Sequence, residues 1–190
     1  MEHKALHPGA AYFYYPRPLC VVGVRDEAKE TTNFVPVAWA TPLSSRPPLY
    51  GVCLSPKTYS HGLLVKAEEF TLSFLDFQDA PLVAQLGRLS GRDVDKVAFL
   101  ELELAEAESI STPYLLRAYA AAECKLVERR SFGDQTLFVG EVLKVVAREG
   151  TFTEEGILDL GRVNPVLYLG ANYYLTVDRG SKRLLVAEQT

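Results

Sequence analysis

The fold is decided by residues 31–62, which read Thr31-Thr-Asn-Phe-Val-Pro-Val-Ala-Trp-Ala-Thr-Pro-Leu-Ser-Ser-Arg-Pro-Pro-Leu-Tyr-Gly-Val-Cys-Leu-Ser-Pro-Lys-Thr-Tyr-Ser-His-Gly62. The pattern predicts a first strand that places small residues around Trp39, and a second strand that is apolar from Leu49 to Leu54. A helix is expected to begin near Ser60. The small residues of the first strand are Ala38, Ala40 and Thr41, and the polar cluster before the helix is Ser55, Lys57, Thr58, Tyr59 and Ser60.

The polar cluster has the chemistry that a phosphate group needs. Ser55, Lys57, Tyr59 and Ser60 can donate hydrogen bonds, and the N–H groups of the first helical turn would add to them. The helix dipole attracts the same negative charge. Taken alone, the Ser-Pro-Lys run is more typical of an ordinary turn, and a single Trp39 is more often a core residue. The order of all these features within one stretch favours a ligand site.

Composition limits the classes of protein that fit. With 190 residues, 48% of them hydrophobic, the chain is long enough for one well-buried domain over residues 1–190. A net charge of -4 and a pI of about 5.5 argue against nucleic-acid and anionic-membrane partners. No signal peptide or apolar span is evident, so we expect a cytoplasmic protein. Residues 1–11 are expected to form a flexible terminus and residues 178–190 a charged tail.

Side chains alone offer little for catalysis. The three cysteines, Cys20, Cys53 and Cys124, are far apart and are interpreted as reduced core residues. His61 is the one histidine in a region expected to be ordered, which argues against a multi-histidine metal site. The usual motifs of nucleotide-binding folds, zinc proteases and serine hydrolases are absent. We therefore expect no catalytic side chain and a bound cofactor that carries the chemistry.

Flavin mononucleotide (FMN) matches these features. Its phosphate would occupy the polar cluster, and its flat ring needs the close backbone approach that Ala38, Ala40 and Thr41 allow. Asn33 could hydrogen-bond the ribityl chain or the ring edge. FAD is less favoured because the sequence offers no second recognition element for adenine.

The rest of the pattern is mostly strand. A buried strand is expected at 19–24 and another at 70–77, with short helices at 59–69 and 79–89. Residues 121–129 and 137–148 predict a long antiparallel hairpin joined at Gly133-Asp134. The acidic segment 101–112 is expected to be strand and connection. The sequence thus predicts a mainly β protein, a barrel or closed sheet with a few short helices.

Several short motifs, in one order along the chain, resemble the flavin reductase and flavoredoxin family of FMN-binding split β-barrels. The resemblance extends over residues 12–174. The motifs that carry it are Tyr15-Pro16-Arg17-Pro18, Asn33, Trp39-Ala40-Thr41-Pro42, Arg46-Pro47-Pro48-Leu49, Ser55-Pro56-Lys57-Thr58-Tyr59-Ser60, Phe70-Thr71-Leu72-Ser73-Phe74, Ser90-Gly91 with Asp95-Lys96, and Pro165-Val166-Leu167-Tyr168-Leu169-Gly170 with Tyr173.

The resemblance implies a homodimer that binds FMN near the subunit interface and reduces it with NADH or NADPH. It implies that Asn33, Ala40 and Thr41 line the ring and ribityl chain, next to Trp39. It further implies that Lys96 and Tyr168 are additional cofactor contacts, while Ser55, Lys57, Tyr59 and Ser60 hold the phosphate. The exposed ring face would be open or covered by a mobile element, either residues 87–96 or the tail from Asp178.

Two alternatives remain at this point. The first is a flavoredoxin-type electron carrier, which would bind FMN and exchange electrons with a redox partner protein. The second is a barrel that binds no flavin. The sequence does not distinguish NADH from NADPH.

Overall fold

The computed structural model describes residues 2–7, 9 and 13–183, and this part of the chain is mainly β, as predicted. The α-helices are α1 (Tyr59–Leu64), α2 (Ala80–Arg88) and α3 (Lys96–Phe99), with 3-10 turns at Phe77–Asp79 and Arg179–Ser181. The strands are β1 (Arg17–Pro18), β2 (Cys20–Asp26), β3 (Thr31–Val37), β4 (Ala40–Ser45), β5 (Pro48–Leu54), β6 (Glu69–Phe74), β7 (Leu104–Ala105), β8 (Tyr114–Leu115), β9 (Ala120–Phe132), β10 (Gln135–Ala147), β11 (Leu167–Gly170) and β12 (Tyr173–Leu175).

The main sheet has seven antiparallel strands in the order β3-β2-β6-β9-β10-β5-β4. Its two end strands, β3 and β4, follow one another in the chain through a bend at Ala38 and Trp39. The Trp39 carbonyl accepts a hydrogen bond from the Cys53 N–H at 2.8 Å, which ties the bend to β5. The prediction of one strand through Ala38, Ala40 and Thr41 is therefore wrong, because the bend interrupts it.

Strand β2 is buried on both faces. Val22 and Val24 pack inside the barrel with Phe70 and Phe138. Val21 faces the other way, into a second cluster that includes residues of α2. Because successive side chains of a strand point to opposite faces, only a run of apolar residues can fill both clusters. Each fully buried side chain of this size contributes about 2 kcal/mol to folding.

The first helix is shorter than predicted. It ends at Leu64, whereas the pattern predicted a helix to residue 69. Glu69 instead belongs to β6 and pairs with β9. The helix begins at Tyr59, one residue before the predicted start near Ser60, and its N-cap is Thr58, whose hydroxyl accepts from the His61 N–H at 3.3 Å. The second predicted helix is confirmed within one residue at each end as α2. None of the helices in the described residues is long and apolar enough to span a bilayer.

The predicted hairpin is confirmed as β9 and β10, which extend to a two-residue turn at Gly133 and Asp134. Gly133 has φ of 58°, a left-handed conformation that glycine adopts without strain. The acidic segment 101–112 is mostly loop, with the short strand β7 alone in it. Buried Glu123 holds this loop by accepting the N–H groups of Glu108 and Ser109 at 3.1 and 2.6 Å.

All three cysteines are free, and Cys20 and Cys124 are buried, as predicted, whereas Cys53 is half-buried. Burial raises the pKa of Cys20 and Cys124 to about 12, which keeps both as thiols. Residues 178–183 of the predicted tail are described and include a 3-10 turn; residues 184–190 lie outside the described part. The same holds for residues 1, 8, 10 and 11 of the predicted flexible terminus.

Candidate functional site

A groove of about 260 Å³ lies between the start of α1 and the segment that follows α2. We call it the basic groove. One wall is formed by residues 57–60 and the other by residues 86–92. The complete lining is Val35, Lys57, Thr58, Tyr59, Ser60, Leu86, Gly87, Arg88, Leu89, Ser90, Gly91, Arg92 and Lys96.

The basic groove carries four positive side chains, Lys57, Arg88, Arg92 and Lys96, and its lining includes no carboxylate. Within the described part of the chain, none of these four forms an ion pair. The chain as a whole has a net charge of -4, so this concentration of positive charge is local. Such a groove attracts an anion of the size of a phosphate group.

Ser60 lines the basic groove, and Asn33 of β3 lies directly behind it without lining the groove; both residues are buried. The Asn33 Nδ2 group donates to the Ser60 Oγ at 2.8 Å, which leaves the serine hydroxyl able to donate its own proton. The Asn33 Oδ1 atom is buried and has no hydrogen-bond partner among the described residues. Leaving a buried amide oxygen unpaired costs about 1–3 kcal/mol, and a ligand hydroxyl would remove that cost.

Gly91 lets the second wall approach Asn33. A Cβ atom at position 91 would lie 2.1 Å from the Asn33 Oδ1 and 2.8 Å from the Tyr59 Cδ1. No side chain fits at these distances, so the absence of one at Gly91 is required for the close approach. The Ser-Gly pair that carries part of the family resemblance is therefore part of the groove wall.

Lys96 joins two elements next to the groove. Its Nζ donates to the carbonyl oxygens of Phe34 and Leu86, both at 2.7 Å, which ties α2 to β3. The side chain is buried, and this burial lowers the pKa of Lys96 to about 8. The observed contacts of Lys96 are structural, and its contact with a cofactor stays a prediction.

The Tyr59 hydroxyl is also occupied within the protein. It donates to the Asp26 Oδ2 at 2.5 Å, and this hydrogen bond, more than burial, raises the pKa of Tyr59. Tyr59 therefore offers the groove its ring and backbone rather than its hydroxyl. Ser55 does not line the groove; its carbonyl accepts from the Thr58 N–H and forms the turn before α1.

A second groove of about 220 Å³, which we call the aromatic groove, adjoins the basic groove and shares Gly87 and Arg88 with it. Tyr168 and Tyr174 line it, with ring centres 5.2 Å apart, and the Tyr168 hydroxyl accepts from the Asn172 N–H at 3.2 Å. Ala38 belongs to this lining as well. Three residues predicted to hold the phosphate, Lys57, Tyr59 and Ser60, thus line the basic groove. Ala38, which was predicted to allow the ring to approach, lines the neighbouring aromatic groove.

Trp39, Ala40 and Thr41 were also predicted to lie at the flavin ring. They follow Ala38 in the chain and line neither groove. Ala40 is buried, and Thr41 is exposed with its hydroxyl directed to the Pro42 carbonyl at 3.3 Å. Trp39 is 40% exposed, and its indole N–H donates to the Tyr15 hydroxyl at 3.0 Å. Trp39 is therefore a surface residue, which excludes the alternative of a core tryptophan, and its predicted contact with a cofactor stays a prediction.

A larger groove, of about 500 Å³, lies elsewhere and has Arg25 and Lys66 in its lining. Its lining includes the carboxylates of Asp26, Glu27, Glu68 and Glu69. These negative charges would repel a phosphate dianion, so the volume of a groove alone does not identify the phosphate site. No group of three or more metal-ligating side chains occurs among the described residues.

The geometry can be compared with known proteins. The profile of the Flavin reductase like domain matches residues 12–175. The chain belongs to this family. This confirms the resemblance, and the solved structures below confirm the split β-barrel fold.

Two solved structures and two curated proteins show the range of the family. The chain is 42% identical to an FMN-binding protein from Thermus thermophilus, solved with bound 1-cyclohex-2-enone, over 93% of this chain and 95% of that one, with a TM-score of 0.81. It is 29% identical to the flavoredoxin of Desulfovibrio vulgaris (Miyazaki F), over 97% of each chain, with a TM-score of 0.83.

Among curated proteins, the chain is 26% identical to the reductase component of a FADH(2)-dependent resorcinol hydroxylase from Rhizobium, over 84% of this chain and 80% of that protein. An alignment at 34% identity with an Archaeoglobus fulgidus protein spans 61% of this chain and 66% of that protein. The family thus includes both reductase components and a flavoredoxin.

Sequence reasoning did not single out Arg88 and Arg92, which line the basic groove, or Lys29, whose Nζ donates to two carbonyl oxygens of its wall. Arg88 and Arg92 flank the Ser90-Gly91 stop, where a basic residue usually serves only to end a helix. Residues 87–92 and Lys96 of the segment expected as a possible mobile cover line the basic groove, and the role of this segment as a cover stays a prediction. The signal that was available was the clustering of two arginines and Lys96 around a family motif.

Proposed function

We propose that this protein binds FMN and transfers a hydride from NADH or NADPH to it. The observation that carries the proposal is the basic groove, whose lining holds four cations and no carboxylate. A phosphate dianion is the part of FMN that such a groove recognises. The FMN-binding protein of Thermus thermophilus supports FMN rather than FAD.

Different residues of the chain would contact the phosphate, the ribityl chain and the ring of FMN. Lys57, Ser60 and Arg92 would hold the phosphate by charge and hydrogen bonds. The unpaired Asn33 Oδ1 would accept from a ribityl hydroxyl. The ring would lie past Asn33, beside the backbone of Ala40 and Thr41, where small side chains allow close approach.

When bound, FMN supplies a ring that accepts a hydride from a nicotinamide. The protein residues bind and orient it. Beside the proposed ring site, the Thr41 hydroxyl is directed to the Pro42 carbonyl. We therefore propose that catalysis is by positioning and that no residue acts as a general base.

We also propose a homodimer in the cytoplasm. Phe13 is 77% exposed and packs on Tyr14 at 5.0 Å, and Tyr14 packs edge-on against Trp39 at 5.9 Å. These exposed aromatic side chains lie next to the proposed ring site. A second copy of the chain would cover them and complete that side of the pocket.

The second candidate is a flavoredoxin-type electron carrier that acts with a redox partner protein. The specific observation in its favour is the likeness to the Desulfovibrio vulgaris flavoredoxin over 97% of both chains. The net charge of -4 suits a basic partner protein. In this case FMN would be bound in the same place, but NADH and NADPH would not reduce it quickly.

One experiment separates these functions. The protein is loaded with FMN, freed of excess flavin, and mixed without oxygen first with NADH and then with NADPH while the flavin absorbance is recorded. Rapid loss of absorbance with either nucleotide supports the reductase and identifies its donor. A flavin that stays oxidised with both supports the carrier, and a protein that retains no FMN overturns both.

A further inference from the structure

Lys29 contacts both walls of the basic groove without lining it. It lies on the turn between β2 and β3, and its Nζ donates to the carbonyl oxygens of Gly91 at 2.6 Å and Arg92 at 2.9 Å. The same ammonium lies 5.3 Å from the centre of the Tyr59 ring. Tyr59 belongs to one wall and Gly91 and Arg92 to the other, so one side chain connects them.

Two physical effects follow from this connection. Hydrogen bonds from an ammonium to two consecutive carbonyls fix the backbone of the second wall, which contains Arg92. The positive charge also offsets the partial negative charge of both carbonyl oxygens beside a site for an anion. The cation–π contact with Tyr59 holds the ammonium against the first wall.

We propose that Lys29 is a positioning residue that sets the separation of the two walls and thereby the affinity of the groove for a ligand phosphate. This rests on the proposed function, in which that phosphate belongs to FMN. Lys29 acts on the phosphate through Gly91 and Arg92. Its effect should therefore be confined to ligands that carry the phosphate.

The test compares FMN with riboflavin, which lacks the phosphate. The dissociation constants of both are measured by flavin fluorescence for the wild type and for Lys29→Met, Lys29→Arg and Lys125→Met. Lys125 is an exposed residue of β9, so its substitution is a control with the same change of charge. We expect Lys29→Met to weaken FMN binding about tenfold and to leave riboflavin binding within twofold, since charged hydrogen bonds at the phosphate wall are lost. Lys29→Arg should restore most of the FMN affinity, and Lys125→Met should change neither ligand.

The outcomes separate this inference from the proposed function. If the wild type binds FMN more tightly than riboflavin and Lys29→Met keeps that preference, the proposed positioning role of Lys29 is contradicted. The proposed phosphate site is then still supported. An equal loss for FMN and riboflavin would show a general structural role and also overturn the inference. If the wild type binds riboflavin as tightly as FMN, the phosphate site itself is wrong and the role of Lys29 with it.

Discussion

The side-chain amide of Asn33 donates a hydrogen bond to the hydroxyl of Ser60 at 2.8 Å, which joins β3 to the first turn of α1. This bond spans 27 positions of sequence and brings together one residue predicted to face the ribityl chain and one predicted to face the phosphate. The unpaired Oδ1 of the same amide lies beside Gly91 of the opposite wall. Asn33 therefore contacts Ser60 of one wall and lies against Gly91 of the other, without lining the basic groove itself.

Replacement of Asn33 should weaken binding of every flavin. In Asn33→Leu the volume is roughly kept, but the acceptor for the ribityl hydroxyl and the donor to Ser60 are lost. Because riboflavin and FMN share the ribityl chain, we expect both dissociation constants to rise about tenfold. Fluorescence titration with both ligands measures this, and unchanged riboflavin binding would contradict the placement of the ribityl chain at Asn33.

A side chain at position 91 should damage the groove. Gly91→Ala places a Cβ atom 2.1 Å from the Asn33 Oδ1, so Asn33 or the wall must move. We expect a loss of about 1–3 kcal/mol in the free energy of unfolding, together with weaker FMN binding. Gly62→Ala is the matched control, since a Cβ atom at Gly62 in α1 meets nothing within 4 Å.

For that control, urea unfolding should show a gain of about 0.5–1 kcal/mol, because alanine favours a helix over glycine. A Gly91→Ala protein as stable as the wild type would contradict the close approach of the two walls.

Removing a positive charge from the basic groove should weaken binding of FMN, which carries the phosphate, but not of riboflavin, which lacks it. We expect Lys57→Gln and Arg92→Gln each to weaken FMN binding about tenfold and to leave riboflavin binding unchanged, because each removes a charge-assisted contact. Added salt should weaken FMN binding in the wild type and less so in the two variants. Arg130→Gln on the exposed part of β9 is the control and should behave as the wild type. Equal losses for both flavins would place the phosphate elsewhere.

The stability contributed by Lys96 should depend on pH. Burial lowers the pKa of Lys96 to about 8 in the folded protein, whereas an unfolded lysine titrates near 10.4. Between these values the unfolded chain binds more protons, so the contribution of Lys96 to the free energy of unfolding rises with pH in this window. Buried thiols and tyrosines titrate in the same range, and their effect cancels when the wild type is compared with Lys96→Met.

Urea unfolding of both proteins at pH 7 and pH 10 measures this difference. We expect the advantage of the wild type over Lys96→Met to be larger at pH 10. If the advantage of the wild type is constant or smaller at pH 10, the lowered pKa of the buried Lys96 ammonium is contradicted.

Much of the fold follows from local pattern. The apolar run of β2 and the hairpin of β9 and β10 could be predicted because their strands carry continuous or alternating apolar residues and a Gly-Asp turn. The length of α1 could not, because Glu69 pairs with β9, a strand more than fifty residues later. The bend at Ala38 and Trp39 was missed for a similar reason: it is fixed by the hydrogen bond from Cys53.

The residues of the candidate site also differ in whether local sequence could predict them. Lys57 and Ser60 could be predicted because polar donors cluster before a helix start, a local signal. Arg92 and Lys29 could not, because their roles depend on the distance between segments that are separate in sequence. The occupation of the Tyr59 hydroxyl by Asp26 is likewise a tertiary contact between residues 33 positions apart.

A crystal structure of the protein with FMN is the most direct test of the central claim, that the basic groove holds the phosphate of the flavin. We expect the phosphate between the walls of the groove, within hydrogen-bond distance of the Ser60 hydroxyl and of Lys57 or Arg92. A phosphate bound outside this groove, or a flavin whose ribityl chain makes no contact with Asn33, would contradict it.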